Sequence, residues 1–189
     1  MITLHNKDCL SAMLEMADNQ FDLAIVDPPY GNYAIKDNKN IKMFENIQPS
    51  EQYFDELMRV SKNQIIWGAN FYTNINLAGG VIIWNKLGPD TKRRKQAPTI
   101  SEAEIAYQSF NFLCKICSYT WIGNVTGNNY QINSDEFTNR IHPTQKPVAL
   151  YTWILQNYAK EGDTILDTHL GSGSIAIACH DMGFDLTAY

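Results

Sequence analysis

Short apolar runs alternate with amphipathic segments along most of this chain. Eight runs rich in branched and aromatic residues predict β-strands: residues 2–5, 21–26, 64–67, 81–84, 104–107, 112–121, 164–167 and 184–189. Four segments with a helical period of apolar positions lie between several of them, at residues 9–16, 50–61, 147–159 and 172–182. Strands that alternate with helices predict an α/β fold with a mostly parallel sheet covered on both faces.

Capping and turn residues mark the ends of these segments. Asp8 precedes the first helical segment as a candidate N-cap, Pro147 opens the third, and Gly183 follows the fourth as a stop signal. Between residues 86 and 140 the alternation gives way to turn-forming residues, a basic run and aromatic strands. Because 189 residues suit one large domain better than two, we expect a single domain with an insertion at 86–140 carried at one end of the sheet.

Composition excludes few functions, but it indicates the class of protein, its compartment and its partners. Hydrophobic residues make up 44% and charged residues 19% of the chain, as in ordinary globular proteins. No apolar run is long enough to span a membrane, and no basic leader precedes a long apolar stretch, so we expect a cytoplasmic protein without membrane contacts. The net charge of −5 does not indicate a nucleic-acid partner, although the run Lys92, Arg93, Arg94, Lys95 can meet phosphates. A solvated loop is the competing interpretation of that run.

The four cysteines are scattered, which favours a reducing compartment over a disulfide scaffold. Cys114 and Cys117 form a lone CxxC without a second pair, which is weak support for a zinc site. In a strand, positions three apart face opposite sides of the sheet. We therefore expect packed, free thiols and no metal.

The stretch FDLAIVDPPYG places Asp27, Pro28, Pro29 and Tyr30 directly after a buried strand. Two consecutive prolines cannot continue a central strand, because neither offers an N–H to its neighbours. The chain therefore leaves the sheet abruptly, with a carboxylate at the strand end and an aromatic ring three residues later. Taken alone, these four residues are also consistent with a proline turn capped by Asp27.

The stretch ILDTHLGSGS predicts a strand, a glycine turn and the start of a helix. Ligands of open parallel sheets bind at such junctions, where Gly171 and Gly173 allow close backbone approach. The spacing matches neither the dinucleotide pattern nor a P-loop, so a small ligand with a carboxylate or amine tail fits better than a phosphate. A tight turn without a ligand is the alternative.

The stretch IHPTQKPVAL crowds polar side chains between Pro143 and Pro147, before a predicted helix. A stiff loop with Thr144 as a capping residue accounts for the prolines. It does not account for Gln145 and Lys146, which suggests that the loop contributes to a site.

With these three stretches in this order, the chain resembles the S-adenosylmethionine-dependent amino-methyltransferases of DNA, in the permuted, beta-type subgroup whose catalytic half comes first. The segments IIWGANFYTN and VIIWNK resemble compact phage-type adenine members. The resemblance implies a Rossmann-like, doubly wound, mostly parallel sheet of seven strands with a reversed hairpin, in a bacterial or phage-encoded protein. It also implies a target-recognition role for residues 86–140 and a cofactor-binding part at 141–189.

The resemblance further assigns roles to individual positions. The catalytic pocket for the target base would consist of Asp27, Pro28, Pro29 and Tyr30. The S-adenosyl-L-methionine site would include Asp8, Cys9, Asp27, Thr144, Gln145, Lys146, Asp167, Thr168, His169, Gly171, Ser172, Gly173 and Ser174. For the partner, double-stranded DNA, we expect contacts from Lys92, Arg93, Arg94, Lys95 and Arg140, within a polar and aromatic recognition segment at 119–140. The sequence leaves open whether the protein forms a homodimer and whether it has a restriction partner.

The chemistry of an exocyclic amine explains the acid and the prolines. Its lone pair is delocalised into the base, so a methyltransferase must localise and orient that lone pair. Asp27 can accept one N–H and the Pro28 carbonyl the other, while Tyr30 replaces the stacking that an extruded base loses. Among the enzymes that the chain resembles, an aspartate at the first position is commoner in adenine members, so the resemblance favours N6 of adenine. N4 of cytosine stays open, as does methylation of RNA or of a protein amide.

Two departures from the family pattern affect the cofactor half. The usual Asp-Pro-Phe is replaced by Asp167, Thr168 and His169, so that His169 either covers the cofactor or is a partly buried ring bonded to the backbone. The family also carries an acid for the cofactor ribose near the end of the next strand, whereas Tyr189 ends this chain. We therefore expect a C-terminally truncated domain, with a non-catalytic remnant that binds DNA or cofactor as the alternative function.

Overall fold

The main sheet forms the centre of the molecule. The computed structural model describes residues 1–31, 47–73, 75–87, 101–122, 125–126 and 145–189. Within these residues the sheet has eight strands in the order β1-β10-β9-β2-β3-β5-β4-β6, and β7 pairs with β8 separately. The strands are β1 Ile2–Leu4, β2 Phe21–Val26, β3 Ser61–Trp67, β4 Gly80–Asn85, β5 Ala103–Gln108, β6 Cys114–Ser118, β7 Trp121–Ile122, β8 Val125–Thr126, β9 Thr164–Asp167 and β10 Asp185–Ala188.

Every pairing in the main sheet is parallel except those of β5, which runs antiparallel to both β3 and β4. This arrangement confirms the predicted doubly wound, mostly parallel α/β class, and its reversed strand is β5. The eight strands of the main sheet match the eight strand-like runs of the sequence. They are one more than the seven that the family resemblance implies, because β6 pairs along the outer edge of β4, from Val81 with Cys114 to Asn85 with Ser118. Part of the predicted insertion at 86–140 therefore lies in the sheet itself.

Four α-helices in the described part of the chain correspond to the four predicted helical segments. They are α1 Cys9–Met13, α2 Glu51–Val60, α3 Val148–Tyr158 and α4 Ser174–Met182, and a 3₁₀ turn covers Ala69–Phe71. Asp8 caps α1 by accepting a hydrogen bond from the Ser11 amide at 2.8 Å, as predicted. Gly183 ends α4 with a φ of 77°, a left-handed conformation that glycine adopts without strain.

The helices cover both faces of the sheet. Alternate β2 residues face opposite sides, with Leu23 and Ile25 packed in one cluster beside α3 and α4. Ala24 and Val26 pack in the other cluster with the buried stripe of α2. Because the two clusters lie on either side of one layer of strands, the strands at the centre of the sheet read as continuous apolar runs.

The strand directions bring several polar residues to one edge of the sheet. Asp27 follows β2, Gly68 follows β3, and Asp167 ends β9, all at the carboxyl ends of parallel strands. Since β5 is antiparallel, its beginning lies at this same edge, where Glu104 pairs with Trp84. The candidate site is at this edge.

The cysteines only partly match the expectation of packed thiols. All four are free, and Cys117 and Cys179 are buried, but Cys114 is exposed at the edge strand β6. Neighbours three apart in a strand point to opposite sides, which is why one thiol of the CxxC pair is covered and the other is not. None of the helices in the described ranges has the length and apolar character required to cross a membrane.

Candidate active site

Asp27 lies at the centre of the site, one residue beyond β2, and both of its carboxylate oxygens are hydrogen-bonded. The Tyr30 hydroxyl donates to Oδ1 at 2.6 Å. The Lys146 ammonium donates to Oδ2 at 2.5 Å. The Asp27 side chain is 26% exposed, so this carboxylate stays reachable from solvent while two partners fix its orientation.

The Tyr30 ring forms one wall of this pocket. It stacks on Phe71 with ring centroids 4.9 Å apart and an interplanar angle of 20°. Burial, together with the nearby Asp27 charge, raises the pKa of the Tyr30 hydroxyl well above its usual range. The hydroxyl is therefore protonated at neutral pH and acts as the donor to Asp27.

Backbone carbonyls of the DPPY segment accept hydrogen bonds from residues to which the sequence motifs assign no role. The Tyr72 hydroxyl donates to the Pro28 carbonyl at 2.8 Å in a buried position. Gln48 donates to the carbonyl of Tyr30 at 2.8 Å and to that of Phe71 at 3.0 Å. The segment after β3 and the loop before α2 thus lock the backbone of residues 27–30. Tyr72 and Phe71 lie within the predicted phage-type segment, which was the available signal, whereas nothing in the sequence marked Gln48.

Lys146 is the most buried cation of the site, with a side chain only 5% exposed. Its ammonium also lies 3.2 Å from Glu104 Oε2 and 5.3 Å from the centre of the Trp67 ring. Burial lowers the pKa of Lys146, but the negative charges of Asp27 and Glu104 outweigh burial and raise that pKa above its usual value. Lys146 is therefore charged, and the structure places it in the pocket of Asp27.

Asp167 ends β9 beside the glycine turn and is only 3% exposed. Its Oδ1 accepts a hydrogen bond from the His169 amide at 2.9 Å. Burial is the main cause that raises the pKa of Asp167 to about 7, with a smaller contribution from the Asp27 charge. A cationic group placed against Asp167 would favour its ionised form.

Thr168 and His169 form a small polar cluster with α2. The Thr168 hydroxyl lies 2.6 Å from the Tyr53 hydroxyl and 2.9 Å from His169 Nδ1. Burial lowers the pKa of His169 to about 4, so its ring is neutral at physiological pH. Of the two expectations for His169, a hydrogen-bonded, largely buried ring is observed, although its side-chain partner is Thr168 and not the backbone. A covering role for this ring stays a prediction.

The glycine turn leaves open space in front of α4. Gly171 and Gly173 have positive φ angles of 54° and 76°, and a Cβ at Gly173 would meet no atom within 4 Å. Ser172 and Ser174 join their hydroxyls at 3.1 Å across the first turn of the helix. A glycine cradle, free helix N–H groups and the buried Asp167 acid fit the amino-acid end of S-adenosylmethionine, whose tail carries an ammonium and a carboxylate.

The remaining predicted residues fall into two groups, those within the described ranges and those outside them. Asp8 is exposed at the start of α1, Cys9 is partly buried, and the Gln145 carbonyl accepts a hydrogen bond from the Trp121 indole at 2.9 Å. Residues outside the described ranges are Thr144, Lys92, Arg93, Arg94, Lys95 and Arg140. The cofactor role of Gln145 and Lys146 and the DNA contacts stay predictions.

Fold and site together define a Rossmann-like α/β protein with a cofactor-type glycine turn beside an acid-bearing pocket. The family model for N6/N4 methyltransferases, described as DNA methylase, matches residues 66–186, and the chain belongs to this family. Family membership confirms the predicted class, and S-adenosyl-L-methionine is the cofactor that it indicates.

Three similar proteins illustrate the match. The type II methyltransferase M.HpaI of Haemophilus parainfluenzae is 24% identical over 203 residues, covering 91% of this chain; the chain spans 64% of that relative's length. The crystal structure of the M1.HpyAVI–SAM complex superposes with a TM-score of 0.56 at 21% identity, covering 100% of this chain and 92% of that one. The PvuII DNA methyltransferase, named as cytosine-N4-specific, has a TM-score of 0.54 at 11% identity, covering 99% and 80% of the two chains.

The burial of Asp167 predicts a pH-dependent stability. Burial raises the pKa of Asp167 to about 7 in the folded state from its ordinary value of 3.8, so the folded state holds its proton over a range where the unfolded state does not. By linkage, the Asp167 contribution to the unfolding free energy falls as pH rises from about 4 to 7. We expect urea denaturation to show that Asp167→Asn gains stability relative to the parent protein between pH 5 and pH 8. An equal difference at both pH values would contradict the assignment.

Proposed function

We propose that this protein transfers a methyl group from S-adenosyl-L-methionine to N6 of adenine in double-stranded DNA. The observation that carries the proposal is the Asp27 carboxylate, held by Lys146 and Tyr30 at the carboxyl end of β2 and facing the Tyr30–Phe71 wall. An ionised acceptor on a fixed backbone, next to an aromatic surface, suits a planar base that carries an amino group.

When bound, S-adenosylmethionine supplies a methyl group that its positively charged sulfur already activates. The task of the protein is to make the amine nucleophilic. Asp27 accepts one amine N–H, which favours a pyramidal nitrogen with a localised lone pair and stabilises the positive charge that develops on nitrogen until the methylated amine loses one proton. The Pro28 carbonyl has two lone pairs, of which the Tyr72 hydroxyl uses one, so it can accept the second amine N–H.

The target base must leave the duplex to reach this pocket, since its amino group is enclosed in a stacked helix. The Tyr30 ring, backed by Phe71 and edged by Tyr72 at a centroid distance of 6.4 Å, is the surface that would replace the lost stacking. Duplex DNA is therefore the proposed partner. Phosphate contacts from Lys92, Arg93, Arg94, Lys95 and Arg140 would fix the register on the duplex without reading its sequence.

Adenine is favoured because aspartate occupies the first position of the DPPY tetrapeptide. N4 of cytosine is the second candidate, since the matching family covers both amino groups and both bases place the amine next to a ring nitrogen. The pocket chemistry proposed for Asp27 and Pro28 is the same for either base.

Transfer of a tritiated methyl group to unmethylated genomic DNA, followed by nucleoside analysis, tests this proposal. We expect the label in N6-methyladenine. Label in N4-methylcytosine would overturn the adenine assignment and keep the enzyme class, whereas label confined to RNA or protein would overturn the DNA substrate. Cofactor binding in calorimetry without any transfer would favour a non-catalytic remnant.

A further inference from the structure

The Lys146 ammonium lies within hydrogen-bond distance of three acceptors. It lies 2.5 Å from Asp27 Oδ2, 3.2 Å from Glu104 Oε2 and 3.2 Å from the Tyr30 hydroxyl oxygen. An ammonium has three N–H donors, so each donor has one acceptor. With the side chain only 5% exposed, water contributes little to its hydration. The position of this cation is thus set by three protein groups.

Glu104 extends this cluster into a chain of alternating charges. Its second oxygen, Oε1, accepts a hydrogen bond from Lys86 at 2.9 Å, so that the order is Asp27, Lys146, Glu104, Lys86. Burial raises the pKa of Glu104, but the two lysines outweigh burial and lower that pKa below its usual value. Glu104 is therefore ionised. It reaches the site because the antiparallel β5 begins at the edge where the parallel strands end.

We propose that Glu104 is a positioning residue of the base pocket. Glu104 and Asp27 both bind the Lys146 ammonium, which anchors Oδ2 of Asp27 and leaves Oδ1 to accept the exocyclic amine. This inference rests on the proposed function and names the oxygen and the positioning residue that it requires. No sequence motif marks Glu104, and the family resemblance assigns Lys146 to the cofactor.

The Tyr30 hydroxyl indicates why Oδ1 is the acceptor. It donates to Oδ1 at 2.6 Å, which shows that a neutral donor fits on that side of the carboxylate. A carboxylate oxygen has two lone pairs, so Oδ1 can accept an incoming amine N–H beside this O–H donor. Tyr30 stays in place, because its hydroxyl oxygen also accepts a hydrogen bond from Lys146 at 3.2 Å.

Glu104 also limits how strongly Lys146 neutralises Asp27. An ammonium shared between two carboxylates neutralises Asp27 only in part, and the charge that remains on Asp27 stabilises the positive nitrogen that forms during transfer. Without the charge of Glu104, the ammonium would compensate Asp27 alone, and Asp27 would be a weaker acceptor. Within the described residues, the titratable groups that interact with Lys146 or Glu104 include Asp27, Tyr30, Tyr72, Tyr151, Asp167 and Lys86.

Glu104→Gln tests the inference because it keeps the side-chain shape and an acceptor while removing the charge. We expect kcat to fall roughly 10-fold, less than for a group that touches the reacting atoms. The KM and the calorimetric Kd for the cofactor should stay within about twofold of the parent values. Glu104→Asp should recover part of kcat.

Glu56→Gln is the matched control, because Glu56 forms a partly buried pair with Arg59 at 2.6 Å on α2, away from the pocket. It should leave kcat unchanged. An unchanged kcat in Glu104→Gln would overturn the inference, as would a loss confined to cofactor affinity.

A readout that needs no activity separates this inference from the proposed function. Absence of methyl transfer by the parent protein would contradict the proposed function alone. The Lys146 ammonium protons, each bonded and shielded from solvent, should give slowly exchanging signals in ¹⁵N-labelled protein. Glu104→Gln should accelerate their exchange, whereas Glu56→Gln should not. Equal exchange in parent and Glu104→Gln proteins would overturn the positioning role, whatever the activity.

Discussion

Replacing Asp27 by alanine is expected to lower the rate of methyl transfer to DNA by roughly 10³-fold, the scale found when a group that stabilises developing charge is removed. Asp27 is the carboxylate acceptor in the pocket. Its neighbour Lys146 carries a positive charge, and the charge that develops on the amine during transfer is also positive. Without the carboxylate, the amine would face an ammonium that repels the product-like nitrogen. The loss should therefore appear in kcat more than in the KM for DNA.

The control for this prediction is Asp27→Asn, which preserves the shape of the side chain and one carbonyl acceptor for Lys146. It should fold as well as the parent protein in thermal unfolding and should still lose most of the transfer rate, because the amide lacks the negative charge. Cofactor binding should remain measurable by calorimetry in both variants, since the Asp167 side of the site is unchanged. Transfer at the parent rate by either variant would remove Asp27 from its proposed role.

The strand and helix pattern was predictable because each element carries its own local signal. Branched apolar runs such as that of β2 specify buried strands, and side chains such as Asp8 cap the helices that follow. The end of β6 is harder to predict than its existence. Residues 112–121 give one continuous strand signal, but the chain leaves the β4 edge after Ser118 and begins β7 at Trp121. The position of such a break depends on which strand edge of the sheet is available for pairing.

The candidate site was predictable where a motif concentrates unusual residues. Two prolines after Asp27 and two glycines after Asp167 conflict with strand and helix propensity, which is the mark of a site. Glu104 has no such signal, because an acid in an amphipathic strand is ordinarily solvated. It joins the site through the antiparallel pairing of β5. The family resemblance assigns Lys146 to the cofactor, whereas its observed partner Asp27 is 119 residues away in sequence.

Replacing Gly68 by alanine is expected to lower methyl transfer by roughly 10- to 100-fold, because displacement of a positioning group by about 1 Å has effects of this size. Gly68 follows β3 with a φ of 73°, and a Cβ there would overlap the Tyr30 ring, with Cδ1 at 2.5 Å and Cζ at 2.8 Å. The ring cannot retreat freely, since it stacks on Phe71 and its hydroxyl is bonded to Asp27. The aromatic wall and the acceptor would therefore shift together.

Gly162→Ala separates this steric effect from backbone strain. Gly162 has a similar φ of 87°, but a Cβ there would meet nothing within 4 Å. Both substitutions place alanine in the left-handed region at a cost of about 1 kcal/mol, so both should lower the unfolding free energy. Gly68→Ala alone should also lose transfer activity and alter the tyrosine signal in near-ultraviolet circular dichroism. Equal activity in the two variants would mean that the base pocket does not depend on the contact between Gly68 and Tyr30.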